Sequence, residues 1–450
     1  MRDNNFITEN NAKHLWHPMG APGDSINNPP KVITKADGSQ ISDIDGHTTV
    51  DAVGGLWCVN LGYSNDAIKE AISEQLNHLP YYSGFAGTTN PAAIEASYMV
   101  TEMFKADGME RVFFTSGGSD SVETCLRLAR QYHRLRGEPT RTKFISLKKG
   151  YHGTHFGGAS VNGNNRFRIA YEPLLPGCFH LPSPYTYRNP FNETDPKKLA
   201  LNIVQAFEDE IAFQDKNTIA AFIMEPIQGA GGVIVPDASF MGLMQEVCER
   251  NGILMISDEV ITGFGRTGSW SGARHWNVKP DMMSMAKGIT SGYFPVGAAL
   301  MSVKVASVFE NSTSADAGIF HGYTYSAHPV GAAAVCACLS ETQRISTKDN
   351  AGVRGKQLYE GIQRLKKKFD VIGDVRGGQG LMAAIEVVSD PNKKTPMDMD
   401  KMKKLHQKTY EAGAMVRLGL NNILMSPPLV ISEAEIDQIL DALDYGFSSI

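Results

Sequence analysis

The sequence predicts an α/β protein: a mostly parallel central sheet covered by helices, joined to a smaller α+β domain. Three observations predict it. Between Arg111 and Met301, short apolar runs alternate with helix-length amphipathic segments, the pattern of a sheet buried on both faces. Two of those runs end in charge: Ile253-Leu254-Met255-Ile256-Ser257 leads to Asp258-Glu259, and Met282-Met283-Ser284-Met285-Ala286 leads to Lys287-Gly288. After about Pro329 the alternation gives way to longer helices and a few strand-like segments.

Taken in order, residues up to about Asn60 alternate strand signals with turns such as Ala36-Asp37-Gly38-Ser39 and Asp45-Gly46. A helix is expected over 66–79, with Ser64 or Asn65 as its N-cap. A strand over 111–115 leads through a Ser/Gly turn into a helix ending near Leu135. Further strands are expected at 143–147, 219–224 and 296–301, with helices over 199–213 and 240–251. A small-residue helix follows to about Ser340, then a helix carrying Lys366-Lys367-Lys368, which reads as a solvated face. Strand-like segments at 381–388 and 414–416 and a helix over 433–445 close the chain, with an exposed loop at 389–397. The expected division is 1–60 as a segment joining the small domain, 61–329 as the large domain, and 330–450 as the small one.

The 450 residues are 42% hydrophobic and 20% charged, ordinary for a globular enzyme. A net charge of -5 argues against nucleic acid or an anionic membrane as the main partner. The N-terminus has no apolar signal region, and no apolar run approaches membrane-spanning length. Six cysteines lack zinc-site spacing. Cys336 and Cys338 fall on different faces of one helix, so reduced thiols and a cytoplasmic setting are expected.

Ligands of open α/β sheets bind beyond the C-terminal ends of the strands, and five elements fall there. Lys287 follows one apolar strand; a desolvated lysine keeps part of its amine uncharged and able to attack a carbonyl. Asp258 ends another; it can hold a pyridine nitrogen protonated, or simply cap a turn. Such a pair is what pyridoxal phosphate needs. Thr115-Ser116-Gly117-Gly118-Ser119-Asp120 opens a helix, where backbone N–H groups and the Ser119 hydroxyl can hold a phosphate; Ser119 can equally be the N-cap. It is neither a Walker loop nor a Rossmann fingerprint. Gly150-Tyr151-His152-Gly153 offers an aromatic to stack on a ring, with His152 read as a positioning group rather than a base. Glu225-Pro226-Ile227-Gln228-Gly229 offers Glu225 and Gln228 to orient a ring hydroxyl and its loop.

With these motifs the chain resembles the class III pyridoxal-phosphate aminotransferases, of the aspartate aminotransferase-like fold type I. The resemblance spans nearly the whole length, from His14-Leu15-Trp16-His17-Pro18 to His321-Gly322-Tyr323-Thr324-Tyr325-Ser326-Ala327-His328-Pro329. Its most specific stretch is Asp258-Glu259-Val260-Ile261-Thr262-Gly263-Phe264-Gly265-Arg266-Thr267-Gly268. The resemblance implies pyridoxal 5'-phosphate as cofactor, Lys287 as its covalent anchor and proton carrier, and Asp258 on its ring nitrogen. It implies Tyr151 and Val260 on the two ring faces, and Gly118 and Ser119 on the phosphate. Thr324 would reach the phosphate of a neighbouring subunit's cofactor, implying a homodimer or dimer of dimers with shared active sites. The commoner family turn reads Ser-Gly-Ser-Glu-Ala; here Gly117 removes one side-chain donor, which backbone N–H groups would replace.

For the substrate, the resemblance points to the branch of ω-amino acid:pyruvate and amine:pyruvate transaminases. The ornithine and γ-aminobutyrate branches usually carry a glutamate, paired with a substrate-side arginine, where this chain has Ala230. Arg417 fits by position the arginine that swings in to bind a substrate carboxylate. Trp57 and Phe85 are expected to line the substrate pocket, with Tyr81 and Tyr82 nearby. The implied reaction is a ping-pong exchange of an amine donor with a 2-oxo acid acceptor, pyruvate foremost. β-Alanine, other ω-amino acids, taurine, diamines and arylalkyl amines all stay open as donors, and the resemblance suggests S stereopreference. The alternatives are an aminomutase, a racemase or a decarboxylase on the same fold. A non-catalytic relative would be expected to have lost Lys287 or Asp258, and both are present.

Overall fold

A computed structural model describes residues 3–85 and 87–450. Its centre is a seven-stranded sheet. From one edge the strands run Met109–Thr115, Gly297–Ser302, Met282–Met285, Leu254–Asp258, Ile219–Met224, Lys143–Leu147 and Cys178–Leu181. Gly297–Ser302 is antiparallel to both its neighbours, and the other six strands share one direction. The exception has a simple cause. A parallel return needs a crossover of a dozen or more residues, and only the short turn region after Met285 separates this strand from its partner.

Both faces of the sheet are buried. On one, Ile145, Phe222, Met255 and Leu300 pack with helices Pro91–Phe104, Pro196–Gln214, Phe240–Asn251 and Pro329–Arg344. On the other, Phe144, Ile223, Ile256 and Ala299 meet helix Gly118–Leu135 through Val122, Leu126 and Ala129. That helix is strongly one-sided, so its apolar stripe and the strand's second face bury each other. Each fully buried Ile, Leu or Phe contributes about 2 kcal/mol from burial alone. Asn65 proves to be the N-cap of helix Asp66–His78, its side chain accepting from the Ile68 N–H at 3.2 Å.

The remaining strands form two further sheets. In one, Thr48–Asp51 lies parallel to Ala414–Met415, so the N-terminal segment and the last part of the chain share a sheet. In the other, Ala383–Asp390 and Ile372–Arg376 pair beside the hairpin Arg417–Gly419 and Asn422–Met425. The single strand expected over 414–416 is therefore two: the chain changes partner at Val416, and Arg417 begins the second. Val50 and Ala52 join Leu358, Ile385, Ile423 and Leu443 in this core. Several elements have no counterpart in the sequence reading, among them the edge strand Cys178–Leu181, short and mostly half-buried, helices Pro91–Phe104, Val303–Glu310 and Met399–Glu411, and strands Ile372–Arg376 and Asn422–Met425. The lysine run lies on a helix end, where Lys368 pairs with Asp444 at 2.6 Å.

Candidate active site

Four adjacent strands deliver the chemistry. Because Met282–Met285, Leu254–Asp258, Ile219–Met224 and Lys143–Leu147 are neighbours in one direction, Lys287, Asp258, Glu225 and Tyr151-His152 emerge at one edge. They line a cleft of about 160 Å³ with Gly118, Ser119, Val260 and Ile261.

Lys287 leaves its strand with a left-handed backbone, φ 50°, rare for a side chain of this size and a local cost held by the surrounding turn. Burial of the ammonium lowers its pKa to about 8, against the opposing pull of Asp258. Asp258 is itself buried. One oxygen accepts from His152 Nδ1 at 2.7 Å and the other from the Val260 N–H at 3.2 Å. With a carboxylate as acceptor, Nδ1 carries the proton. Among the described residues the other ring nitrogen, Nε2, is buried without a partner, so His152 is held there through Asp258 and its backbone. The bond from Val260 gives Asp258 the turn-capping role read from sequence, and its place in the cleft leaves it able to face a ligand as well.

Glu225 ties two strand-end loops, accepting from the Tyr151 N–H at 3.0 Å and the Gly229 N–H at 2.8 Å. Burial pushes its pKa up to about 7; His152 opposes the rise and Asp258 adds to it. Gln228 is structural, donating to the Lys148 carbonyl at 3.0 Å and accepting from Ser183 at 2.5 Å. Glu259, one residue beyond Asp258, faces away and is fully caged by Ser257, Thr262 and the N–H groups of Gly272 and Ala273.

The phosphate turn opens the 18-residue helix Gly118–Leu135. Gly117 is the N-cap and Ser119 lies inside the first turn, so the N-cap alternative for Ser119 does not hold. Its hydroxyl accepts from the Thr154 N–H at 3.1 Å and keeps its own proton to donate. A Cβ on Gly118 would meet Val260 Cγ1 at 3.0 Å, and one on Gly153, at φ 88°, would meet Ser119 Oγ at 2.6 Å. The two glycines let Val260 and Ser119 pack this closely at the N-terminal end of the helix, where backbone N–H groups favour negative charge.

The predicted substrate residues are less gathered. Trp57 is 2% exposed and packs with Ile227, Val233, Ile261 and Met382; its neighbour Leu56 is the one that lines the cleft. Phe85 and Tyr82 lie about half exposed outside the residues lining this cleft, and Phe85 faces Gly322. Thr324 is exposed as well, its carbonyl accepting from the Tyr81 hydroxyl at 2.9 Å. Ala230 sits half-buried in the turn closed by the Gln228–Ile234 pair. Arg417 is half-buried in a second cavity of about 500 Å³, whose wall Leu56 shares with the cleft. Its charge is felt by Tyr151 and Lys287, and burial lowers its pKa. Among the described residues the Arg417 side chain has no ion-pair partner. Leu56, Ile261 and the Asp258–His152 pair were not foreseen; only the adjacency of Leu56 to Trp57 and of His152 to Tyr151 hinted at them.

A buried amine, a carboxylate on a histidine and a helix N-terminus, all at one edge of a largely parallel sheet, fit a pyridoxal-phosphate enzyme of fold type I. Residues 23–445 match the family Aminotransferase class-III, and the chain belongs to it. It superposes with TM-score 0.95 on a PLP-bound amine transaminase from an uncultivated Pseudomonas species, 44% identical over 97% of this chain and 98% of that one. It is 34% identical to putrescine–pyruvate aminotransferase of Pseudomonas aeruginosa over 91% of this chain and 89% of that protein. It is 33% identical to gamma-aminobutyrate transaminase 1, mitochondrial, of Oryza sativa subsp. indica, over 97% and 85%. The protein is thus a PLP-dependent transaminase, and an isomerase is not favoured. When bound, the cofactor supplies an electron sink for the carbon that loses its proton.

Proposed function

We propose that the protein moves an amino group from a primary amine or ω-amino acid to pyruvate, giving alanine and an aldehyde or ketone. The observation that carries this reading is Arg417: a half-buried guanidinium near Tyr151 and Lys287 with no ion-pair partner among the described residues. A planar cation in the cavity next to the cleft, with its charge reaching Lys287, suits a carboxylate acceptor, while its long side chain leaves room for an uncharged donor. Ala230 supplies no carboxylate to neutralise it.

In this reading Lys287 would anchor the cofactor through its amine and would take and return the proton at the donor's carbon, the cofactor supplying the aldehyde and the electron sink. Asp258 holds the proton on the ring nitrogen, and His152 holds Asp258. Tyr151 and Val260 cover the ring faces, Gly118 and Ser119 take the phosphate, and Glu225 fixes the Tyr151 loop. Trp57 backs the substrate pocket through Leu56. Phe85 and Thr324 act in the cleft of a second copy, in keeping with their place outside their own cleft, which makes the working unit a homodimer or a dimer of dimers. No helix among the described residues is long and apolar enough to cross a membrane, and six free cysteines fit a cytoplasmic setting. Two separate apolar cores support two domains, but helix Pro329–Arg344 packs in the core of the large sheet through Ala332, Val335 and Leu339, which moves the boundary from 329/330 to beyond that helix.

A donor panel tests the reading, with pyruvate as acceptor and alanine as the readout. Putrescine, β-alanine, taurine, γ-aminobutyrate and 1-phenylethylamine belong in it, γ-aminobutyrate included because of the rice relative. Alanine from at least one donor is expected; activity only with a different oxo acid would refute pyruvate as the acceptor.

A further inference from the structure

Arg376 is buried outside the cofactor cleft and bonds to two segments at once. Its Nε donates to the Gly232 carbonyl at 2.6 Å, within the turn that carries Ala230. Its Nη2 donates to the Asn422 side chain, in the hairpin that carries Arg417, where Arg417 pairs with Leu424 and Gly419 with Asn422. Its Nη1 donates to Asp374 at 2.6 Å and to the Tyr185 hydroxyl. Tyr185 in turn donates to Glu386, which also accepts from Arg188 Nε at 2.6 Å and Asn421 at 3.0 Å. Satisfying a guanidinium this fully, in a dry site, fixes its plane and with it the spacing of the groups it holds. The Ala230 turn is pinned from its other side by Glu225, through the Gly229 N–H.

We propose that Arg376 is a positioning residue for substrate specificity, setting the Ala230 turn against the Arg417 hairpin so that a substrate carboxylate meets Arg417 in register. The inference rests on the reading of Arg417 as the carboxylate contact. Arginine is required because a planar fork reaches two carbonyl-type acceptors in different directions, and a lysine ammonium cannot hold both while pairing with Asp374. Loosening Arg376 therefore weakens recognition of substrates that have a carboxylate and spares those that lack one.

The test compares Arg376→Lys and Asn422→Ala with the parent enzyme, holding cofactor, on pyruvate, β-alanine and isopropylamine. KM for pyruvate and β-alanine should rise about tenfold or more, and kcat/KM for isopropylamine in its half-reaction should change less than about threefold. Cofactor absorbance should be unchanged in both variants. Equal losses with all three substrates, or no change with any, would overturn the proposal. Should Arg376→Lys fail to accumulate, Asn422→Ala removes the Arg376 arm together with the 3.3 Å bond from Asn422 to the Gly419 carbonyl, and decides on the same comparison. Arg417→Leu run in parallel separates the two ideas. If it leaves the pyruvate KM unchanged, the carboxylate reading itself is wrong; if it raises KM and the other two do not, only the role of Arg376 is lost.

Discussion

The lowered pKa of Lys287 makes a quantitative prediction. With a value of about 8 in place of the ordinary 10.5, about one Lys287 amine in ten is uncharged at pH 7, against about one in three thousand for a free lysine. Only the uncharged amine bonds an aldehyde. In cofactor-free enzyme, the rate of pyridoxal phosphate capture should rise about tenfold per pH unit below 8 and level off above it. Stopped-flow absorbance measures the rate. Asp258→Asn removes the negative charge that holds the pKa up, so its plateau should begin at lower pH. The same shift is linked to stability. Between about 8 and 10.5 the unfolded chain holds a proton on this lysine that the folded chain has released, so stability rises with pH across that window. Lys287→Ala should lack that rise, as seen by denaturant titration of both cofactor-free proteins. A capture rate climbing without a break to pH 10 would refute the argument that burial dominates this amine.

Three further outcomes follow from single contacts. Asp258→Asn should cut turnover about a thousandfold in steady-state assays, because a neutral amide cannot stabilise a positive ring nitrogen in a dry site. Arg266→Leu should cost about 3–5 kcal/mol in chemical denaturation, since the fully buried guanidinium donates to the carbonyls of Leu381 and Pro427 and to Asn60, at 2.8, 2.6 and 2.8 Å. Arg417→Leu should raise the pyruvate KM about tenfold or more while leaving an amine without a carboxylate nearly unaffected, read from the two half-reactions separately.

The sheet was legible because both its faces are buried. Ile219–Met224, Leu254–Asp258 and Met282–Met285 are unbroken apolar runs, and a charge directly after such a run has few places to go except the strand's end. Lys287, Asp258, Glu225 and Tyr151 were accordingly placed from sequence. The antiparallel direction of Gly297–Ser302 was not, since apolar composition carries no direction. Edge strand Cys178–Leu181 was missed because half-burial dilutes the apolar signal. The substrate side was harder for a different reason. Trp57 and Leu56 are neighbours of similar character, and only the turn geometry, φ 65° at Trp57, decides which faces the cleft. Arg376 was not legible because, Asp374 apart, its partners Gly232, Asn422 and Tyr185 come from distant segments.

The central claim is amino transfer from an amine to pyruvate through Lys287. The most direct measurement follows alanine and the donor's carbonyl product together while both substrate concentrations are varied. Equimolar products, parallel double-reciprocal lines and no turnover in Lys287→Ala are expected. No alanine from any donor, or a product rearranged from a single amino acid without an acceptor, would contradict it.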